Sequence, residues 1–589
     1  MREEAVLLID RGQSPENANL AKVLRFFGVH WRAVTVAEFL SYNNSDGEGR
    51  STYRLFCSSE IFLRLIEDLE HRSDGGRFWR EHVLSTFVYG GDDSAALQKL
   101  IRRLTGDEGA VLNEINGCVG DFVVSGELDD FCGGMAGLRV AASKADLDAS
   151  LILNTPKGNT INIISLGYGA TFLKLEYKGV AVFLSTFRKI IDIDAELTSQ
   201  NFDVRDHFLS AVPLVLYVKW AFAETCWSAP ETNACLVIDD PVLKSTHGFV
   251  NFQELLSLMK RHNFSTNIAF IPWNWRRSTP KVVRLLRENP QNYSVSVHGC
   301  DHTRAEFGGL DRQRLYWKAQ QALERMNRHE SITGIRHDRV MVFPQGVFSE
   351  AAMSALKHTD LIAAVNSDVI CADPHPRAIT ISDVWDIAVM RYSNFPIFTR
   401  RYPSEGIENF AFDALLGKPV LILIHHDYCS DHCARLVSFI ERLNALKYRL
   451  EWRSLTEVVR RSYRQREISP DVVEVEMYGR ELRVRNRFAQ AKRFLVRRRE
   501  CKPSAVREVR DGSGRIAWNS VEGCIDFEIE LNAGENRMIH ITFHELAGNG
   551  RNGDNLPYRF KTMLRRYLCE VRDNYIMTTK TRLADFVSR

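Results

Sequence analysis

The sequence predicts a multidomain α/β protein built around a parallel α/β barrel, with an N-terminal α/β region and a C-terminal β-sandwich-like domain. Three observations predict it. Apolar strand-like runs alternate with helical stretches from residue 230 to about 465, and their number suits a barrel better than an open sheet. After about residue 468 the hydrophobic period becomes two, as in half-buried strands. A chain of 589 residues also exceeds what one hydrophobic core organises. The expected domains are residues 1–228, 230–465 and 468–589.

In the first region, residues 5–9 form an apolar strand-like run. Ser14-Pro15-Glu16 then carries a capping serine and a first-turn proline. Leu20, Val23, Leu24 and Phe27 follow at helical spacing, and Gly28 stops the helix. Strands are expected at 31–36, 53–57 and 83–89 and a helix at 61–69, a flavodoxin- or Rossmann-like βαβ pattern. It has neither a GxGxxG nor a P-loop, so nothing supports a nucleotide site. Residues 120–200 turn β-rich, with short strands at 138–141, 160–165, 172–176 and 180–184. They either complete the first domain or form their own. Residues 206–227 read as a helix.

Helices in the central domain are expected at 251–262, 281–288 and 312–327. In the last domain Val473, Val475 and Met477 alternate with Glu474 and Glu476, and Ile525, Phe527 and Ile529 with Asp526 and Glu528. The basic run 480–499 reads as the solvated face of a strand rather than a polyanion site. A Gly/Asn loop at 548–555 precedes an amphipathic helix at 558–575.

Composition is ordinary for a folded protein, with 45% hydrophobic and 26% charged residues, and the formal charge of +3 gives no reason to expect a nucleic-acid partner. The 12 cysteines are scattered in apolar runs (Cys57, Cys118, Cys235, Cys524), which predicts free thiols in a reducing compartment. Residues 5–9 are too short a run for a signal-peptide core. The run 209–218 contains Pro213 and stops at Lys219, too short for a membrane span. The expected compartment is the cytoplasm.

Reactive groups in parallel barrels gather at the C-terminal ends of strands. Four apolar runs end that way here: 236–238 on Asp239 and Asp240, 295–297 on His298 with His302 four residues on, 340–343 on Pro344-Gln345-Gly346, and 420–424 on His425 and His426. Two imidazoles and one carboxylate suit a divalent transition ion with open positions, as at a catalytic site. A second carboxylate can take a proton from water and a histidine can protonate a leaving nitrogen. Trp273 and Trp275 fall on the loop after another strand, where rings can stack on sugars or simply pack. Glu306 reads as the start of a helix rather than a site residue. His425, His426, Cys429, His432 and Cys433 are dense enough for a separate zinc site, but the strand end already explains His425.

These residues resemble the motifs of the NodB-type polysaccharide deacetylases, carbohydrate esterase family 4, over roughly residues 232–460. The resemblance implies a distorted (β/α)7 barrel that removes N- or O-acetyl groups from a carbohydrate with a divalent metal, zinc foremost, with cobalt, nickel or manganese as alternatives. By position Asp239 becomes the general base, Asp240, His298 and His302 the metal ligands, and His425 in Leu423-Ile424-His425 the catalytic acid. Trp273, Trp275, Pro344, Gln345, Gly346 and His426 become candidate substrate contacts. Arg453 and Ser454 lie in a Trp-x-Ser-Leu stretch like those closing such barrels. The family's arginine two residues before the proline of the third motif is replaced by Val342, and Pro241 stands where a glycine follows the Asp pair. Asp383-Val384-Trp385-Asp386 is the candidate fourth motif. Hydrolysis of a non-sugar amide, or a non-catalytic glycan-binding scaffold as Val342 would favour, are the alternative functions.

Overall fold

The computed structural model describes residues 3–10, 14–41, 52–114, 120–149, 151–154, 160–544, 546 and 556–577. Cys118 and the expected loop 548–555 lie outside them. Two compact units result, residues 1–195 with 203–228, and residues 196–202 with 229–589.

The first unit is built on an 11-stranded sheet. Trp31–Val34, Glu3–Leu8, Thr52–Ser58, Val83–Tyr89 and Val180–Ser185 pair in parallel, in that order. The sheet then continues antiparallel through Gly169–Tyr177, Ile161–Leu166, Asp121–Val124 and Arg139–Ala141. The β-rich stretch therefore extends the first sheet. Ser14 caps the helix Pro15–Phe26 by accepting the Asn17 N–H at 3.2 Å. One helical stretch among the described residues, Val204–Thr225, is long and apolar enough to cross a membrane, and 67% of its most apolar window is buried. It is a core element: the Tyr217 ring lies against Phe56, Phe87 and Phe183.

The second unit holds a curled parallel sheet of eight strands. Its row runs Ile397–Thr399, Ala363–Asn366, Val340–Val342, Tyr293–His298, Thr266–Phe270, Thr232–Asp239 and Val420–Ile424, with Leu450–Trp452 also pairing on Thr232–Asp239. These strands are apolar on both faces because helices and interior side chains cover both. Just beyond the first strand of the row, the Arg401 N–H donates to Leu421 O at 3.0 Å and the Leu423 N–H to Arg401 O at 2.8 Å, so the sheet curls back towards its other end. The register pairs Asp239 with Ala269, Ile238 with Ile424, and His298 with Val342. The polar residues that end these strands thus stand level with one another.

Beyond the curled sheet, a five-stranded and a four-stranded sheet enclose one apolar core that includes Val473, Val475, Phe494, Phe527, Ile539 and Ile541. The basic run divides as its alternation dictates. Arg497 faces outward and bonds Asp526 at 3.1 and 3.0 Å, whereas Arg498 is buried and donates to Gly479 O, Asn394 O and Glu500. The chain then runs into the helix Leu556–Val571 and a π-helical turn, Arg572–Met577.

Candidate metal centre

Asp239 and Asp240 end the buried strand Thr232–Asp239. Asp240 has φ 79°, a left-handed conformation costly for a residue with a Cβ, held by its N–H bonding Ala269 O at 3.2 Å. Strand Tyr293–His298 delivers His298, and the chain then bends sharply at Gly299 (φ 61°) and again at His302 (φ 54°). A Cβ at Gly299 would collide with the Glu306 carboxylate and the Pro344 ring, so glycine is required there by both conformation and space.

This bend brings His298 Nε2 to 3.4 Å and His302 Nε2 to 3.0 Å from one oxygen, Asp240 Oδ1. The three donor atoms lie within 4.8 Å of one another, and this is the one such group among the described residues. His298 Nδ1 lies 3.1 Å from the Val342 carbonyl, to which it can only donate. That fixes the tautomer and leaves the Nε2 lone pair facing Asp240. Asp240 Oδ1 and His302 Nδ1 are shut off from solvent without a well-formed hydrogen bond. Two imidazole nitrogens and a carboxylate oxygen gathered this closely, with Asp240 Oδ1 lacking a hydrogen-bond donor, fit a divalent cation. Burial pushes the Asp240 carboxyl up, but His302 and His298 outweigh it and hold it well below the ordinary carboxylate range.

Asp239 is locked by an arginine that the sequence reading missed. Arg400 Nη1 and Nη2 bond Asp239 Oδ1 and Oδ2 at 2.6 and 2.7 Å, with both side chains buried. Burial raises the Asp239 pKa, yet Arg400 foremost, with His298, brings it below its usual value. Val342, at the place of the family's arginine, is fully buried in the core. Arg400 instead arrives from the end of Ile397–Thr399, where two consecutive arginines after an apolar strand were the available signal. His425 lies close enough to act electrostatically on Asp239, and its ring stacks at 6.1 Å on Tyr402.

Glu306 does not begin a helix, since the following helix starts at Arg312 with Asp311 as its cap. Its carboxylate accepts the N–H groups of Cys300, Asp301 and His302 at 2.8, 3.1 and 3.1 Å, so the loop between the two histidines wraps around it. Pro344-Gln345-Gly346 forms a tight turn whose Gln345 accepts the Ala305 N–H at 3.4 Å and so buttresses that loop. The Trp273 ring lies against the Arg325 guanidinium at 4.9 Å, and the Trp275 ring against Arg276 at 4.3 Å and Arg328 at 5.9 Å. His426 turns towards the C-terminal segment, with Nε2 3.6 Å from Asp573 Oδ1. Asp383 is spent in a capping box with Thr380, and Asp386 on Tyr478 and Arg464, so this candidate fourth motif serves structure instead. The His/Cys cluster forms no metal-ligating group among the described residues: His432 is exposed, while Cys429 and Cys433 are buried thiols.

Among solved structures the fold is similar to that of a novel carbohydrate deacetylase, Agd3, over 92% of this chain and 99% of that one, at 10% identity and a TM-score of 0.46. A family 4 carbohydrate esterase from Streptomyces lividans is similar over 37% of this chain and 87% of its own, at 15% identity and a TM-score of 0.23. The peptidoglycan deacetylase PdaC from Bacillus subtilis is similar over 38% and 87%, at 16% identity and a TM-score of 0.23. No protein-family model and no curated protein matches the sequence.

Proposed function

We propose that this protein is a metal-dependent hydrolase that removes an acetyl group from an N-acetylated, or less favourably an O-acetylated, sugar or glycan, on a distorted (β/α)7 barrel. The observation that carries this reading is the meeting of Asp240, His298 and His302 on one end of the curled sheet, beside an arginine-locked Asp239 and His425. Asp240, His298 and His302 would hold the cation, zinc foremost. A divalent cation bound there supplies Lewis acidity that activates water and polarises an acyl oxygen.

The chain's own groups then divide the proton work. Arg400 keeps Asp239 ionised and fixes its plane. A carboxylate has about four acceptor sites, so the two arginine bonds leave Asp239 able to receive a proton from water. His425 would give a proton to the departing nitrogen. Favouring the catalytic over the scaffold reading, Arg400 supplies from another strand the carboxylate–arginine pair that Val342 cannot make. The cytoplasm remains the proposed compartment, supported by eleven free cysteines among the described residues.

The test is acetate release from a panel of N-acetylated oligosaccharides set against small cyclic amides. Release from the sugars, abolished by chelation and restored by added zinc, is the expected result. Undiminished release by a metal-free His298→Ala variant would falsify the reading, and cleavage of the cyclic amides alone would replace its substrate class.

A further inference from the structure

The terminal helix Leu556–Val571 and its π-helical turn turn their polar side inward. Thr562, Arg566, Glu570 and Asp573 recur at i, i+4, i+8 and i+11, which is one helical face, and all four are buried. That face is fastened to loops that follow the strands of the curled sheet. Glu570 pairs with Lys244 and Arg277, Asn574 Oδ1 accepts the Gly248 N–H at 2.7 Å, and the Tyr558 hydroxyl donates to Asp301 at 2.7 Å.

The opposite side is apolar and faces water. Leu556 is 79% exposed, Phe560 61%, Leu568 59% and Leu564 49%. A helix on a globular surface normally orders its sides the other way, and exposed apolar surface of this extent marks an interaction site. Charge on the same side has one sign. Lys561, Arg565 and Arg572 flank these side chains, Arg572 also pairing with Asp573 at 2.7 Å, whereas the only acidic residues of the segment, Glu570 and Asp573, point inward. A shallow groove of about 360 Å³ runs along the helix between Leu564 and Leu568, edged by Lys561, Arg565 and Arg572.

We propose that this face docks onto an anionic lipid surface. Its apolar side chains would enter the boundary between headgroups and acyl chains, and its cations would meet the negative headgroups. A second copy of the chain is the poorer occupant, because pairing two such faces sets cations against cations. The docking does not rest on the hydrolase reading, since it uses only the helix's outward side chains. Its consequence for that reading is positional. Lys244 follows Asp240, and Asp301 lies between His298 and His302, so a docked helix holds the strand-end face beside the bilayer.

The test is flotation of the full chain with vesicles of phosphatidylcholine alone and of a phosphatidylcholine–phosphatidylglycerol mixture. Co-flotation with the mixed vesicles is expected, weaker by about tenfold or more with the neutral vesicles or after Lys561→Gln with Arg565→Gln. A Phe560→Ser, Leu564→Ser, Leu568→Ser variant alters only exposed side chains and keeps the wild-type melting temperature, yet is expected to stay unfloated. In a Phe560→Trp variant the emission shifts to the blue on adding mixed vesicles. The proposal is overturned if the wild type fails to float, if the triple-serine variant floats equally, or if ultracentrifugation shows a dimer that the triple substitution abolishes.

Discussion

Arg400 and Glu306 hold the site from outside its motifs, and each invites a substitution. Removing Arg400 leaves the buried Asp239 carboxylate without its partner, a change that costs about 3–5 kcal/mol, so Arg400→Ala is expected to lower the melting temperature steeply. Arg400→Lys keeps the charge but not the two-point fork at 2.6 and 2.7 Å. It is expected to fold and to lose acetate release more than metal affinity; an unchanged rate would show that the fork does not position Asp239. Glu306→Ala strips the acceptor from three N–H groups in the loop between His298 and His302. Second-layer partners of metal ligands are worth about 10–100-fold in affinity, so calorimetric titration with zinc should show a loss of that order, largely restored in Glu306→Gln. Equal zinc affinity in Glu306→Ala would remove the loop-anchoring role.

At the scale of elements, the helix Arg312–Thr333 carries a titration of its own. His329 is buried on it, with Nε2 2.9 Å from Ser278 Oγ and its ring 5.0 Å from Phe270. Burial foremost, then His337, lowers its pKa from 6.5 to about 4. Below pH 6.5 the unfolded chain takes the proton first. The stability contributed by neutral His329 is therefore complete above about 6.5 and is lost as pH falls towards 4, by roughly 3 kcal/mol at most. His329→Gln should flatten the melting-temperature profile across that window, and a profile as steep as that of the wild type would contradict this. The elements that carry the candidate site were legible in the sequence because each is an apolar run that stops on polar residues, as at Asp239, His298 and His425. What was not legible depends on distant contacts. Arg400 reaches Asp239 across 161 positions, and no local pattern marks such a pairing. Glu306 looked like a helix start because its three amide partners show only once the loop folds back on it. The terminal helix was read correctly as amphipathic, but which side turns inward is decided by Lys244, Arg277 and Asp301, far away in sequence.

At the scale of the whole molecule, the curled sheet concentrates two buried imidazoles and a carboxylate in one place, and a bound cation would satisfy atoms that are otherwise without good partners. A ligand that binds only the folded state adds about 2.7 kcal/mol at a hundredfold excess over its Kd. Chelation should accordingly lower the melting temperature of the wild type and leave that of Asp240→Ala unchanged; equal shifts in both would place the ion elsewhere. The most direct test is elemental analysis of the full chain after zinc loading and desalting, for the wild type, Asp240→Ala and His298→Ala. About one zinc per chain is expected in the wild type and none retained by either variant. A wild type that takes up no stoichiometric ion, or an Asp240→Ala variant that keeps it, would contradict a metal centre on Asp240, His298 and His302.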